Sequence, residues 1–224
     1  MFFPDPDEVL YKLAKATNDY PPNKYVKDHA FAHVTVIPNL FEYVDELGDL
    51  PEPGMLYRYI MSNFCPDEYK EDSFSEWRAI KLVFDFYREM HSFGLLIRSG
   101  LFGFVKYGKA LDVNMNVDFL VRLKTFLREN HIGKSGAGVQ CMMRSNWREG
   151  DIWEAIKQSR RIRRNAGAND FDGIIYPMTN RYVPYSKKVK GVWLFGEEHI
   201  KELREMMLDE KPEEAGIQIE IEMQ

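Results

Sequence analysis

Only two cysteines, Cys65 and Cys141, occur in 224 residues. Two thiols build neither a disulfide framework nor a zinc cluster, so the fold must rest on a packed core. No apolar run approaches the ~20 residues needed to cross a bilayer, which argues against a membrane partner. The N-terminus, MFFPDPDEVLYK, carries acids where a secretion signal has a basic and then an apolar stretch. An intracellular, cytoplasmic and reduced protein is therefore expected. There is no internal repeat and no low-complexity tract. Against these absences stands an apolar fraction of 45 %, with 15 Phe, 12 Tyr and 4 Trp, which is enough to build a core.

The net charge of −5 conceals an uneven distribution. Residues 1–75 carry 14 acidic against 6 basic side chains, and residues 191–224 carry 10 against 3. Between them, residues 76–156 carry 9 against 12, and residues 157–190 only 2 against 9. A compact basic block is thus flanked by acidic ends. Such a pattern bears on partners rather than on fold. It points to an anionic partner for the block and to a protein partner for the acidic N-terminal region.

Proline punctuates residues 1–75, so the elements there should be short. The pattern predicts a helix at Asp7–Ala16, a strand at Ala32–Ile37, a short helix at Leu40–Leu47 and a strand near Met55–Met61. Ser75 is read as the cap of a long helix whose apolar face is Ala79, Leu82, Val83, Phe86, Met90, Phe93 and Ile97, ended by Gly100. Short β-rich runs follow at Phe102–Tyr107, Val117–Leu123, Gly138–Ser145, Gly173–Tyr176 and Gly191–Phe195. Helices are expected at Asp151–Ala166 and Glu197–Leu208. The alternation in GIQIEIEM predicts a half-buried edge strand, with Ile217, Ile219 and Ile221 inward. Together these give an α/β (α+β) protein. A mixed central sheet flanked by helices is expected over 76–224, with the acidic region 1–75 packed on it.

The helix bearing Glu76 and Glu89 leads into RSGLFGFVKYGKALDV, NVDFLVRL, GVQCMMRSN, FDGIIYP and GVWLFGEEHIKEL. This succession resembles the core of the PD-(D/E)XK superfamily, the restriction-endonuclease-like nucleases. The resemblance implies that Asp118, opening one strand, is a metal ligand. It places Gln140 at the acid position of the neighbouring strand's tripeptide and Met142 where the catalytic lysine belongs. Alternation along a strand independently puts Gln140, Met142 and Arg144 on one face, and Asp118, Leu120 and Arg122 on one face of the next strand. A Mg²⁺ site needs hard oxygen ligands, which Asp118 and the Gln140 amide could supply, with Glu89 or Glu76 as a third. Met142 offers no charge, so Arg144 or Lys157 would have to replace the lysine, and an arginine is a poor general base. The competing expectation is a phage or viral component that kept the fold and lost the chemistry.

In the helix expected at Asp151–Ala166, Lys157, Arg160, Arg161 and Arg164 stand at i, i+3, i+4 and i+7, on one polar face. Clustered like charges oppose folding, so a nucleic-acid phosphate backbone is the natural partner. Lys187 and Lys188, in the expected following loop, would extend that surface. The bland alternative is a solvated face. Other motifs carry less. GKSGAG at 133–138 has Arg128 where a phosphate-binding loop needs glycine, and reads as a hairpin loop. His29 and His33 lie at the entry to an expected strand. MLYRYI with DFDGIIYPMTN also resembles phage-associated ADP-ribosyltransferases, which implies a strand carrying Arg58 as an NAD-binding residue. That family's catalytic glutamate has no counterpart in residues 177–196.

Overall fold

The computed structural model describes residues 2–20, 33–107, 117–123, 137–142, 174–179, 187–208 and 217–218. The chain forms two compact units, Met1–Gly94 with Lys188–Leu194, and Leu95–Lys187 with Phe195–Gln224. The division falls inside a long helix, after Gly94, whereas the charge boundary lies near residue 75. Among the described residues no helix is long and apolar enough to cross a membrane.

The first unit is built on helices. Helix α1 (Pro6–Asp19) starts where Asp5 holds an extended backbone and its carboxylate accepts from the Asp7 amide at 3.0 Å, with Pro6 in the first helical turn. Val9, Leu13 and Ala16 form its buried stripe. Helix α2 (His33–Leu47) runs straight through the strand expected up to Ile37. The β-branched run and Pro38 favoured an extended reading, but Val36, Ile37, Leu40, Phe41 and Val44 are all buried at helical spacing. Burial of that stripe outweighs the local propensity.

The strand expected at Met55–Met61 is likewise a helix, α3 (Pro53–Asn63). Pro53 begins it, Glu52 before it is extended, and Leu56 and Ile60 are buried one turn apart. Helix α4 (Ser73–Arg98) starts two residues before the expected cap. Asp72 performs that role: its carboxylate accepts from the Phe74 amide at 3.0 Å and its carbonyl from the Ser75 amide at 3.0 Å. The Ser75 hydroxyl is instead buried without a hydrogen-bond partner. Gly100, at φ +65°, follows the end of α4 as expected.

The core of this unit joins Phe41 of α2 to Phe86 and Phe93 of α4 through edge-to-face contacts at 5.5 and 6.0 Å between ring centroids. The buried Tyr87 hydroxyl donates to the Pro51 carbonyl at 2.7 Å, and burial holds its phenol well above the ordinary range. Lys12, also buried, donates to the Leu50 carbonyl and lies 3.3 Å from Glu8 and 3.4 Å from Glu52.

Gly94 marks a close approach. A Cβ there would lie 2.9 Å from the Pro4 carbonyl oxygen and 2.9 Å from Pro6 Cγ. Helix propensity alone predicts that Gly94→Ala stabilises by about 1 kcal/mol. Overpacking against a backbone oxygen predicts a loss of about 1–2 kcal/mol. We expect the loss, read as a lowered thermal midpoint; a raised midpoint would show that the Pro4–Pro6 segment is not seated on α4.

The second unit holds a mixed sheet, so the chain is an α+β protein. Its strands are β1 (Phe102–Lys106), β2 (Phe119–Leu123), β3 (Ala137–Met142), β4 (Ile174–Thr179) and, near the C-terminus, β7 (Ile217–Gln218). Their spatial order is β1-β2-β3-β4-β7. The β1/β2, β2/β3 and β4/β7 pairs are antiparallel and β3/β4 is parallel. Val117, Phe119, Leu120, Val121, Val139, Tyr176 and Met178 are buried in this unit. Arg122 is spoken for: its guanidinium lies 5.5 Å from the ring centroid of Phe104, its cross-strand partner.

Helix α5 (Glu197–Leu208) packs beside β4 and buries Ile200, Leu203 and Met207. Its first turn is closed by His199, whose Nδ1 accepts from the Gly196 amide at 3.0 Å and whose ring meets Phe195 edge-on at 5.1 Å. Burial lowers the His199 pKa, with the Gly196 backbone and then the Glu198 carboxylate opposing. Because the folded value lies below the ordinary 6.5, the unfolded chain takes up the proton first. The contribution is complete above about pH 6.5 and is lost as pH falls toward the folded value. Chemical denaturation between about pH 7 and 5 should show this decline, and His199→Asn, which keeps an acceptor but cannot titrate, should flatten it. An unchanged slope in the variant would remove His199 as the cause.

Candidate functional site

The sheet brings the first two motif positions together. Phe119 pairs with Val139 and Leu120 with Gly138, so the antiparallel register continued by one residue sets Asp118 opposite Gln140. Two hydrogen bonds fasten this junction. The Asp118 amide donates to the Val139 carbonyl at 3.0 Å, and the Asp118 Oδ2 accepts from the Cys141 amide at 2.5 Å. On its other edge β3 runs parallel to β4, with Gln140 beside Pro177 and Met142 beside Thr179.

This arrangement gives Asp118 an evident structural task. A carboxylate accepting from a backbone amide is a strong, charge-assisted bond. Here it extends the β2/β3 pairing beyond the last ladder pair. It also commits one oxygen of the residue expected to hold Mg²⁺.

Glu89, the expected third ligand, is half-buried on α4 in the first unit, whereas Asp118 and Gln140 belong to the second. Among the described residues no three His, Cys, Asp or Glu side chains stand together as a metal-binding group. A magnesium ion with one or two carboxylates and several waters still needs open oxygen positions in one place.

The remaining positions divide by location. Arg144 and the basic run Lys157, Arg160, Arg161 and Arg164 lie outside the described residues, as do His29 and residues 133–136 of the glycine-rich stretch. Glu76 is exposed in the first turn of α4. Arg58, which the ADP-ribosyltransferase resemblance requires on a strand, is exposed on helix α3. The strand that the resemblance implies around Arg58 is therefore corrected to a helix.

Lys187 and Lys188 are not in a loop. They belong to β5 (Lys187–Val189), which forms a two-stranded sheet with β6 (Val192–Leu194). The expected strand Gly191–Phe195 is thus the second arm of a hairpin whose first arm is lysine-rich. Lys-Gly between two short alternating runs was the available signal. Trp193 on β6 is exposed and carries the Lys188 ammonium 4.9 Å from its ring centroid.

No family model matches the chain, and no curated protein or solved structure matches it.

Proposed function

We propose that this chain is a nucleic-acid-binding protein built on a restriction-endonuclease-like sheet, in which the motif aspartate joins strands instead of holding a catalytic metal. The observation that carries this reading is the Asp118 junction. The order α4-β1-β2-β3-β4, with antiparallel, antiparallel and parallel pairings, supports the PD-(D/E)XK resemblance. At the position where that family binds metal, Asp118 is bonded to the Cys141 amide, and Met142 stands where a lysine is required. Binding then falls to the basic block: Lys157, Arg160, Arg161 and Arg164, with Lys187 and Lys188. Each phosphate neutralised releases counterions, so affinity should fall steeply with salt.

A second reading, a Mg²⁺-dependent phosphodiesterase or endonuclease, draws on the register that sets Asp118 opposite Gln140. One experiment separates the two. The protein is incubated with single- and double-stranded DNA and RNA in Mg²⁺ or Mn²⁺, and binding is measured in parallel across salt. The preferred reading expects salt-sensitive binding without cleavage, weakened at least roughly tenfold when Arg160, Arg161 and Arg164 are reversed to glutamate. Metal-dependent cleavage abolished by Asp118→Asn would establish the enzyme. Binding indifferent to the three reversals would make the basic run a solvated surface.

A further inference from the structure

The hairpin β5–β6 has a composition and a mounting that its size does not require. Residues 187–194, KKVKGVWL, hold three lysines, one tryptophan and no acid. The two turn residues, Lys190 and Gly191, have φ of +43° and +99°, as a primed two-residue turn demands. Lys190 is the one non-glycine residue with positive φ among the described residues. Asparagine or glycine would hold that conformation at lower cost. The lysine has a use there, because its ammonium donates to Asn18 Oδ1 near the end of α1. The turn is thereby fastened to a helix of its own unit.

The same turn sets residue 188 opposite 193. Leu194 is buried and Val189 and Val192 are half-buried, while Lys188 and Trp193 point to the exposed side. Trp193 is 42 % exposed, and Lys188 stacks on its ring. An indole is a large apolar surface to leave in water. Held by a cation on a fastened hairpin, it is a preorganised stacking platform with positive charge beside it.

We infer that this hairpin is a contact for single-stranded nucleic acid, with a base stacking on Trp193 and an adjacent phosphate meeting Lys188. The inference rests on the nucleic-acid reading above and names the strand form that reading leaves open. A duplex would satisfy the lysines but keeps its base faces inside the stack. An acidic peptide would satisfy the lysines and leave the indole without a planar partner. A single strand offers both, in the combination that sequence-tolerant binders use.

The test is fluorescence anisotropy with a labelled thymidine oligonucleotide of about 20 nucleotides, long enough to cover one such site. A duplex of the same length and polyglutamate are run alongside. Trp193→Ala should weaken oligonucleotide binding roughly tenfold, the scale of one lost base stack, and Trp193→Phe should recover most of it. Duplex affinity should change less than about twofold, and Lys188→Ala should reduce the salt slope by about one. Thermal melts check that each variant is folded, which an exposed position favours. Full oligonucleotide affinity in Trp193→Ala overturns the hairpin inference and leaves the nucleic-acid reading standing. Polyglutamate bound as tightly, with the same dependence on Trp193, overturns it in favour of an acidic protein partner. Absence of binding to any nucleic acid overturns both.

Discussion

Replacing Phe86 by alanine is expected to cost the first unit about 3–5 kcal/mol of stability. The ring has no solvent exposure, meets Phe41 of α2 edge-on and lies against Tyr87 at 5.7 Å between centroids. Removing it deletes the apolar surface of a whole ring and leaves a void lined by aromatic rings, which are too bulky to collapse into it. Phe41 would lose its edge-to-face contact with Phe86 and keep the one with Phe93. Urea denaturation followed by circular dichroism measures the effect. The control is Tyr11→Ala on α1, at a position 68 % exposed, where a change within about 0.5 kcal/mol is expected. A loss at Phe86 no larger than that control would mean that the α2/α4 aromatic contact is not the core of the unit.

At Asp118, alanine and asparagine are expected to behave differently. Asp118→Ala leaves the Cys141 amide without its acceptor at 2.5 Å and should cost about 1.5–3 kcal/mol, the range for hydrogen bonds to charged groups. Asp118→Asn keeps a carbonyl oxygen in place and gives up only the charge, so about half of that loss or less is expected. The contrast bears directly on function. A metal ligand depends on the negative charge, and asparagine would then be as damaging as alanine to any metal-dependent activity. A strand tie depends on the acceptor, so asparagine should lower the melt clearly less than alanine does and leave the nucleic-acid affinity unchanged. Equal destabilisation by the two substitutions would refute the strand-tie role.

The helices and strands that were legible in the sequence share one property: their burial pattern and their local propensity agree. In α1, α4 and α5 the apolar stripe, the good helix formers and the flanking Asp, Pro or Gly all point the same way. β1, β2 and β3 combine β-branched or aromatic residues with short length. The errors fall where the two disagree. His33–Ile37 is β-branched and precedes a proline, and Pro53–Asn63 places Tyr57 and Tyr59 in apparent alternation. Both are helices because Leu40, Phe41 and Val44 continue the stripe of the first, and Leu56 and Ile60 bury one face of the second. Tyr59 there stacks on Tyr43 of α2 at 4.1 Å, a contact between distant segments that no local window contains.

The candidate site divides in the same way. The resemblance in order and spacing is what singled out Asp118 and Gln140, and strand alternation added only which positions share a face. The uneven charge was also open to reading, since it is a sum over residue types and needs no coordinates. What only the tertiary structure decided is how these groups are used. Register determines that Asp118 faces Gln140, and a side-chain-to-backbone bond determines that one of its oxygens is held by Cys141. A carboxylate looks the same in a sequence whether it waits for a cation or closes a strand. The difference lies in which donor comes within hydrogen-bonding distance, and in this chain that donor is 23 residues away.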